Sequence, residues 1–222
     1  MTIRNAETMG TVGATWEARG YCGQGPVGAL CGALAGRSAI VCGSGRGVFD
    51  ELAEAQAALH DPVIFAVNDI GMYLPRVDHW VSLHVDNLIA WRQVRWLHPK
   101  ARELTKYHSE TPRAWLDYCW DGLTPILYLS GYFAMQLAWI MGCDRIVLCG
   151  CPGDATPRFF EATLRSNLLL TEPNGPFSYG SGDRGADRSV HEQIQQEMER
   201  LPEFKAAVRS MSGITQQFFG GL

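Results

Sequence analysis

The chain has 222 residues, 46% hydrophobic and 19% charged, with a net charge of −4. That length and apolar content suit one α/β domain with a core, plus an extension. The acidic balance and the lack of a long basic run exclude nucleic acid as the main partner, because neutralising its phosphates needs clustered Lys and Arg.

A nucleotide-sized ligand stays compatible with this charge, since backbone N–H groups bind phosphate without net positive charge. No apolar run reaches the ~18 residues that a membrane span needs, and the segment "MTIRNAETMGTVGATWEARG" has no signal-peptide core. These features predict a cytoplasmic protein. Seven cysteines without CxxC spacing predict reduced thiols rather than a disulfide framework. Cys42, Cys143, Cys149 and Cys151 lie in or beside apolar strands and read as small buried hydrophobes rather than metal ligands, so no metal site is predicted.

In chain order, residues 1–36 are glycine-rich and lack sustained periodicity. They read as an irregular extension, available as an arm that packs on a neighbouring subunit of a homo-oligomer. Residues 37–222 read as a Rossmann-like nucleotide-binding domain. "SAIVC" is its first strand, and "GVFDELAEAQAAL" a helix with Val48, Leu52, Ala55 and Leu59 on one face. "PVIFAVND" and "HWVSLHVD" are the next strands, continuous apolar runs of the kind parallel sheets bury on both faces. A tryptophan-rich helix "NLIAWRQVRWL" and a short strand at "KYHS" follow. "SGYFAMQLAWIMG" is a helix with Ser130 as its N-cap. "DRIVLCGC" is a strand, and residues 154–188, rich in Pro, Gly, Asn and Ser, form a loop or lid. "HEQIQQEMERL" is a polar helix and "FKAAVRSMSG" a last strand. The alternation predicts an open, mostly parallel, three-layer α/β sheet. The tryptophans, Trp80, Trp91, Trp96, Trp115, Trp120 and Trp139, fall at packing positions.

The first strand runs into "CGSGRG" before a helix. In a parallel sheet the ligand crevice lies at the carboxyl ends of the strands, so Gly43, Ser44 and Gly45 would line it. The turn is neither a dinucleotide fingerprint, because Val48 stands where a third glycine belongs, nor a P-loop, because no Gly-Lys-Ser/Thr follows. Asn68 and Asp69 end the second strand. His84 and Asp86 sit at alternate positions of the third and so share a face. Ser130 and Gly131 open a helix, and Gly150 closes a later strand. These ends converge on one edge.

Four segments in order, "VCGSGRGVFDEL", "FAVND", "LSGYFAMQLAWIMGCDRIVLCG" and a closing "H…LPEFKAAVRSMSG", resemble the family of bacterial motility accessory proteins and archaeal 6-hydroxymethylpterin pyrophosphokinase-like proteins, with its phage- and prophage-encoded members. The layout is also similar to that of bacterial CMP-sialic-acid-dependent sialyltransferases. The resemblance spans residues 37 to about 220 and implies that Gly43 and Gly45 approach a nucleotide phosphate or ribose, that Asn68 bonds the nucleotide or donor, and that Ser130 and Gly131 meet the base or ribose. The chain departs from that pattern at Arg46-Gly47, at Leu129 before Ser130, and at Gly150-Cys151-Pro152-Gly153-Asp154, where the acid is displaced.

A nucleotide-sugar-dependent transferase, with a donor of the CMP type, needs a base for the acceptor hydroxyl and charge stabilisation for the leaving nucleotide. His191, at the start of the polar helix, is the candidate base, with Asp154 as the second catalytic group. Tyr179, Arg184 and Arg188 in the loop are placed to meet a phosphate on closure, and His84 and Asp86 to bind substrate. A diphosphokinase acting on a pterin-like substrate would instead draw on Asp69, Asp86 and Asp154 for metal-assisted transfer. A non-catalytic nucleotide-binding or phage-associated protein of the same fold, and an NAD-dependent oxidoreductase with Asp69 on a ribose, are the alternatives.

Overall fold

The computed structural model of the chain describes residues 27–95, 105–120, 123, 129–153, 196 and 198–222. Seven strands are present among them: β1 (Ser38–Cys42), β2 (Val63–Val67), β3 (His79–Val81), β4 (Lys106–Ser109), β5 (Tyr118–Cys119), β6 (Arg145–Cys149) and β7 (Val208–Ser210). They form one sheet in the order β5-β4-β3-β2-β1-β6-β7, with every neighbouring pair parallel. The helices are α1 (Val48–Ala58), α2 (Val85–Arg95), α3 (Ser130–Ile140), α4 (Pro202–Ala207) and α5 (Gly213–Phe219).

Alternation along the strands builds the three layers. Ala39, Val41, Phe65, Ile146 and Leu148 face the layer of α3. Ile40, Cys42, Ile64, Ala66, Val147 and Cys149 face the layer of α1 and α2. Both faces of β1 and β2 are thereby buried, which is why these strands read as unbroken apolar runs. The helical face expected for α1 is the buried one: Val48, Leu52, Ala55 and Leu59 are all in the core. Helix α3 is apolar almost all round because it is covered twice, by the sheet on one side and by Phe204, Leu201 and the 27–34 segment on the other. That segment is fastened to the end of α3 through Gly32 N–H to Ile140 O (3.0 Å) and Leu34 N–H to Met141 O (2.6 Å). The earlier part of the extension, 1–26, lies outside the described residues.

From β1 the strands add outward to β5. The chain then returns across the sheet to place β6 on the other side of β1. The carboxyl ends of β1 and β6 therefore flank the point where the strand order reverses, the usual place for a ligand crevice in open α/β sheets.

Five expectations need correction. The third strand stops at Val81, and His84 and Asp86 do not share a strand face. Val85, Leu88, Trp91 and Arg95 are buried at helical spacing, so packing starts α2 at Val85, with the His84 carbonyl accepting the first helical N–H groups. Ser130 is the first residue of α3 and not its N-cap; extended Leu129 (φ −112°, ψ 120°) holds that place. The segment "FKAAVRSMSG" is not one strand: Pro202, which pre-sets a helical φ, starts α4, and only Val208–Ser210 joins the sheet. Strand β5 and helix α5 were not anticipated, β5 because two residues carry no periodicity. Finally, not all thiols are reduced, because Cys31 is disulfide-bonded. No helix among the described residues is long and apolar enough to cross a membrane.

Candidate functional site

The glycine turn leaves β1 at the carboxyl edge and enters α1, as the sequence predicts. Its backbone is tied sideways to the end of β6: Gly43 N–H donates to Cys149 O (2.8 Å) and Gly45 N–H to Gly150 O (2.8 Å). The two loops lie so close that a Cβ on Gly43 would stand 2.5 Å from the Gly150 carbonyl oxygen, and one on Gly45 would stand 2.8 Å from the same oxygen and from Pro152 Cδ. Gly150 has φ +62° and packs on Val48, the residue that replaces the third glycine of the dinucleotide pattern. The close approach that pattern reserves for a helix glycine is supplied here from the neighbouring strand. Glu51, in the first turn of α1, accepts the Gly150 N–H at 2.6 Å. With Asp50 beside it, that carboxylate already complements the positive end of α1.

The serine of the turn points the other way along the edge. Ser44 donates its hydroxyl to Asp69 Oδ1 at 2.6 Å, a short bond to an acid that is 1% exposed. Asp69 follows Asn68 on a 3₁₀ turn, Asn68–Met72, that continues β2. Asn68 has φ +55°, a left-handed conformation that costs a non-glycine residue on the order of 1 kcal/mol and collects at functional positions. Two neighbours hold it there. Trp80 Nε1 donates to its backbone carbonyl, and Ser82 donates its hydroxyl to Asn68 Oδ1 at 2.8 Å. Ser82 Oγ also accepts the His84 N–H at 2.9 Å. The next residue reaches the helix opposite: Leu83 N–H donates to Ser130 Oγ at 3.2 Å. Two consecutive residues of the loop after β3 thus bridge Asn68 and Ser130, so both lie at the same end of the sheet.

Helix α3 begins at this edge, and its first turn carries no acidic residue. Gly131 lies beside Cys151, whose sulfur is 3.9 Å from where a Gly131 Cβ would be. Cys151 is half-buried, but its sulfur turns inward toward Val41 O, and burial with the nearby Glu51 carboxylate pushes its thiol up to about 12. Burial raises the Cys42 and Cys149 thiols even further. These are inert thiols rather than nucleophiles. Among the described residues no group of three or more His, Cys, Asp or Glu side chains is placed to hold a metal ion.

The edge thus gathers Gly43, Ser44, Gly45, Asn68, Asp69, Ser130, Gly131 and Gly150. His84 is joined to it through Ser82. Asp86 is not: its carboxylate is exposed in the first turn of α2 and pairs with Arg113 at 2.8 Å. Asp154, Tyr179, Arg184, Arg188 and His191 lie outside the described residues, as does Trp96. Sequence reasoning missed Ser82, Glu51 and Trp80. Ser82 had a legible signal, a small polar residue directly after an apolar strand; Glu51 acts through Gly150, distant in the chain, and Trp80 reads as an ordinary packing residue. No protein-family model, no curated protein and no solved structure matches the chain.

Proposed function

We propose that the chain is a nucleotide-dependent transferase that takes a nucleotide-sugar donor, of the CMP type, along the carboxyl edge of its sheet. The observation that carries this reading is the pairing of Ser44 with Asp69 and of Asn68 with Ser82, beside Ser130, all on one edge. Hydroxyl, amide and carboxylate groups in that set match the hydroxyls of a ribose or sugar, which need both donors and acceptors. The donor's phosphate fits the start of α3 better than the glycine turn, because Asp50 and Glu51 oppose an anion at α1 while the first turn of α3 has no acid. His191 as base and Asp154 as the second catalytic group complete the proposal, as does the 154–188 segment closing over the donor.

A thermal-shift panel of CMP, CDP, UDP, GDP, ATP and NAD tests it first. A ligand at a hundred times its dissociation constant stabilises by about 2.7 kcal/mol. A shift with CMP, together with transfer or hydrolysis of a CMP-sugar, is the expected outcome; no shift with any member ends the reading. The second reading, a nucleotide-binding protein without turnover, is favoured by the engagement of the Gly43 and Gly45 N–H groups with protein carbonyls. It predicts a shift without transfer.

A further inference from the structure

Away from the crevice edge, two histidines are wired together inside the sheet. His108 on β4 is fully buried and His79 on β3 is 8% exposed. Trp120, just after β5, directs its indole Nε1–H to His108 Nδ1 at 3.1 Å. An indole nitrogen only donates, so His108 Nδ1 must be the bare, accepting nitrogen and Nε2 must carry the proton. That Nε2–H lies 2.9 Å from His79 Nδ1, which must in turn accept. The chain Trp120 to His108 to His79 therefore runs in one direction and exists only while both rings are neutral. A proton added to either Nδ1 sets two donors face to face.

The surroundings offer an added proton little support. His79 stacks on Phe65 (centroids 4.6 Å apart) and His108 on Tyr118 (5.0 Å). Lys106 on β4 and Arg37 before β1 oppose positive charge at His79, and Asp78 alone favours it. At His108 the opposing groups are Lys106 and any charge taken up by His79. Helix α3, on the same face, has no charged residue. Burial drives His79 down to about 4 and His108 well below its ordinary value.

The wire reaches the crevice edge through its backbone. The carbonyl oxygen of His108 accepts the Ser82 N–H at 3.2 Å, and Ser82 is the residue that fixes Asn68 and the His84 N–H. We propose that the Trp120–His108–His79 chain is an acid-sensitive latch: protonation of either imidazole breaks it, loosens β4 and β5, and frees Ser82 from its grip on Asn68. The latch rests on the fold and not on the identity of the ligand.

Nitrogen-15 NMR of the wild-type chain between pH 8 and pH 3 tests it directly. The expected result is that both imidazoles are neutral at pH 7, with the proton on Nε2 of each. Imidazole protonation, loss of the Trp120 indole N–H bond and a drop of about tenfold or more in Ser82 amide protection should then share one midpoint. A His108 proton on Nδ1 at pH 7, or an imidazole titration that leaves the Trp120 and Ser82 signals unmoved, overturns the latch. The double variant His79→Gln/His108→Gln provides the second arm, since neither amide can take up the proton. Ser82 protection in the folded double variant should stay constant over the same range, and an undiminished acid-induced drop overturns the proposal. If the double variant does not fold, the wild-type titration decides alone.

Discussion

The hydroxyl of Ser82 donates to Oδ1 of Asn68 across 2.8 Å, and the same oxygen of Ser82 accepts the N–H of His84. One buried hydroxyl thus does two things at the carboxyl edge. It ends β3 by giving the chain a partner other than the sheet ladder, and it steadies a left-handed asparagine at the end of β2. Because Leu83 then reaches Ser130, this three-residue turn sets the spacing between β2 and α3, and so the width of the opening a ligand would enter.

Ser82→Ala removes one hydroxyl and leaves the His84 N–H and Asn68 Oδ1 to find water. The expected loss is about 1–3 kcal/mol of unfolding free energy, together with loss of any nucleotide-induced thermal shift. Denaturant titration with and without the best ligand of the panel measures both. Unchanged ligand response in the alanine variant removes Ser82 from the site.

Asn68 offers a test of backbone strain. At φ +55° glycine is at ease, while alanine has the Cβ penalty and lacks asparagine's side-chain bond. Asn68→Gly should therefore be more stable than Asn68→Ala by roughly 1 kcal/mol, and both should lose ligand response. Equal stability of the two variants would show that the left-handed conformation is not kept in solution.

Much of this architecture was legible in the sequence. The apolar runs of β1 and β2 and the buried face of α1 follow from simple periodicity, and so does the convergence of Ser44, Asn68 and Ser130 on one edge. His84 and Asp86 were misread because an alternating pattern over "HWVSLHVD" fits a strand until Ser82 turns the chain, and hydrogen bonding rather than hydropathy makes that turn. The glycine turn was read toward a phosphate, whereas its Cβ-free space is filled by Gly150 and Pro152, residues over a hundred positions away. The His79–His108 pair carried no signal, since each histidine stands in a short strand and neither announces the other.

Packing accounts for the glycines at the end of β1. Gly45→Ala should therefore lower stability by about 1–3 kcal/mol, as overpacking does, even without ligand, because the new methyl meets the Gly150 carbonyl and Pro152. Gly150→Ala, with φ +62° as well, should cost more. Thermal melts of the ligand-free variants decide. A Gly45→Ala protein with wild-type stability and no nucleotide response would return the turn to a phosphate-binding role.

The thiols divide by burial. Cys42, Cys143 and Cys149 are buried, with Cys143 pushed up to about 12 by burial and the neighbouring Asp144. They should stay unmodified by a thiol reagent at pH 8 in the native protein and react on denaturation. Half-buried Cys119 should be labelled before them. Mass mapping of the labelled positions checks the order, and early labelling of Cys42 or Cys149 would mean that β1 and β6 open at their carboxyl ends.

The buried histidines also set how stability depends on pH, apart from any effect on the crevice edge. Unfolded, each imidazole binds a proton near pH 6.5; folded, His79 does so only at about 4, and burial holds His108 well below its ordinary value. Between those limits the unfolded chain holds protons that the native chain refuses, so unfolding free energy rises with pH. The contribution is fully present above about pH 6.5 and is lost as pH falls toward 4, each proton accounting for about 1.4 kcal/mol per pH unit in that window. For His79 the whole effect is roughly 3 kcal/mol. Asp61, whose carboxyl Arg76 and Arg37 hold below the usual range, loses its ion pairs only at lower pH and does not blur the reading. Urea titrations from pH 8 to pH 4 should show a plateau followed by a steep decline, and His79→Gln should flatten the decline. A wild-type profile that stays level down to pH 4.5 would mean that these two rings are accessible to protons in the native state.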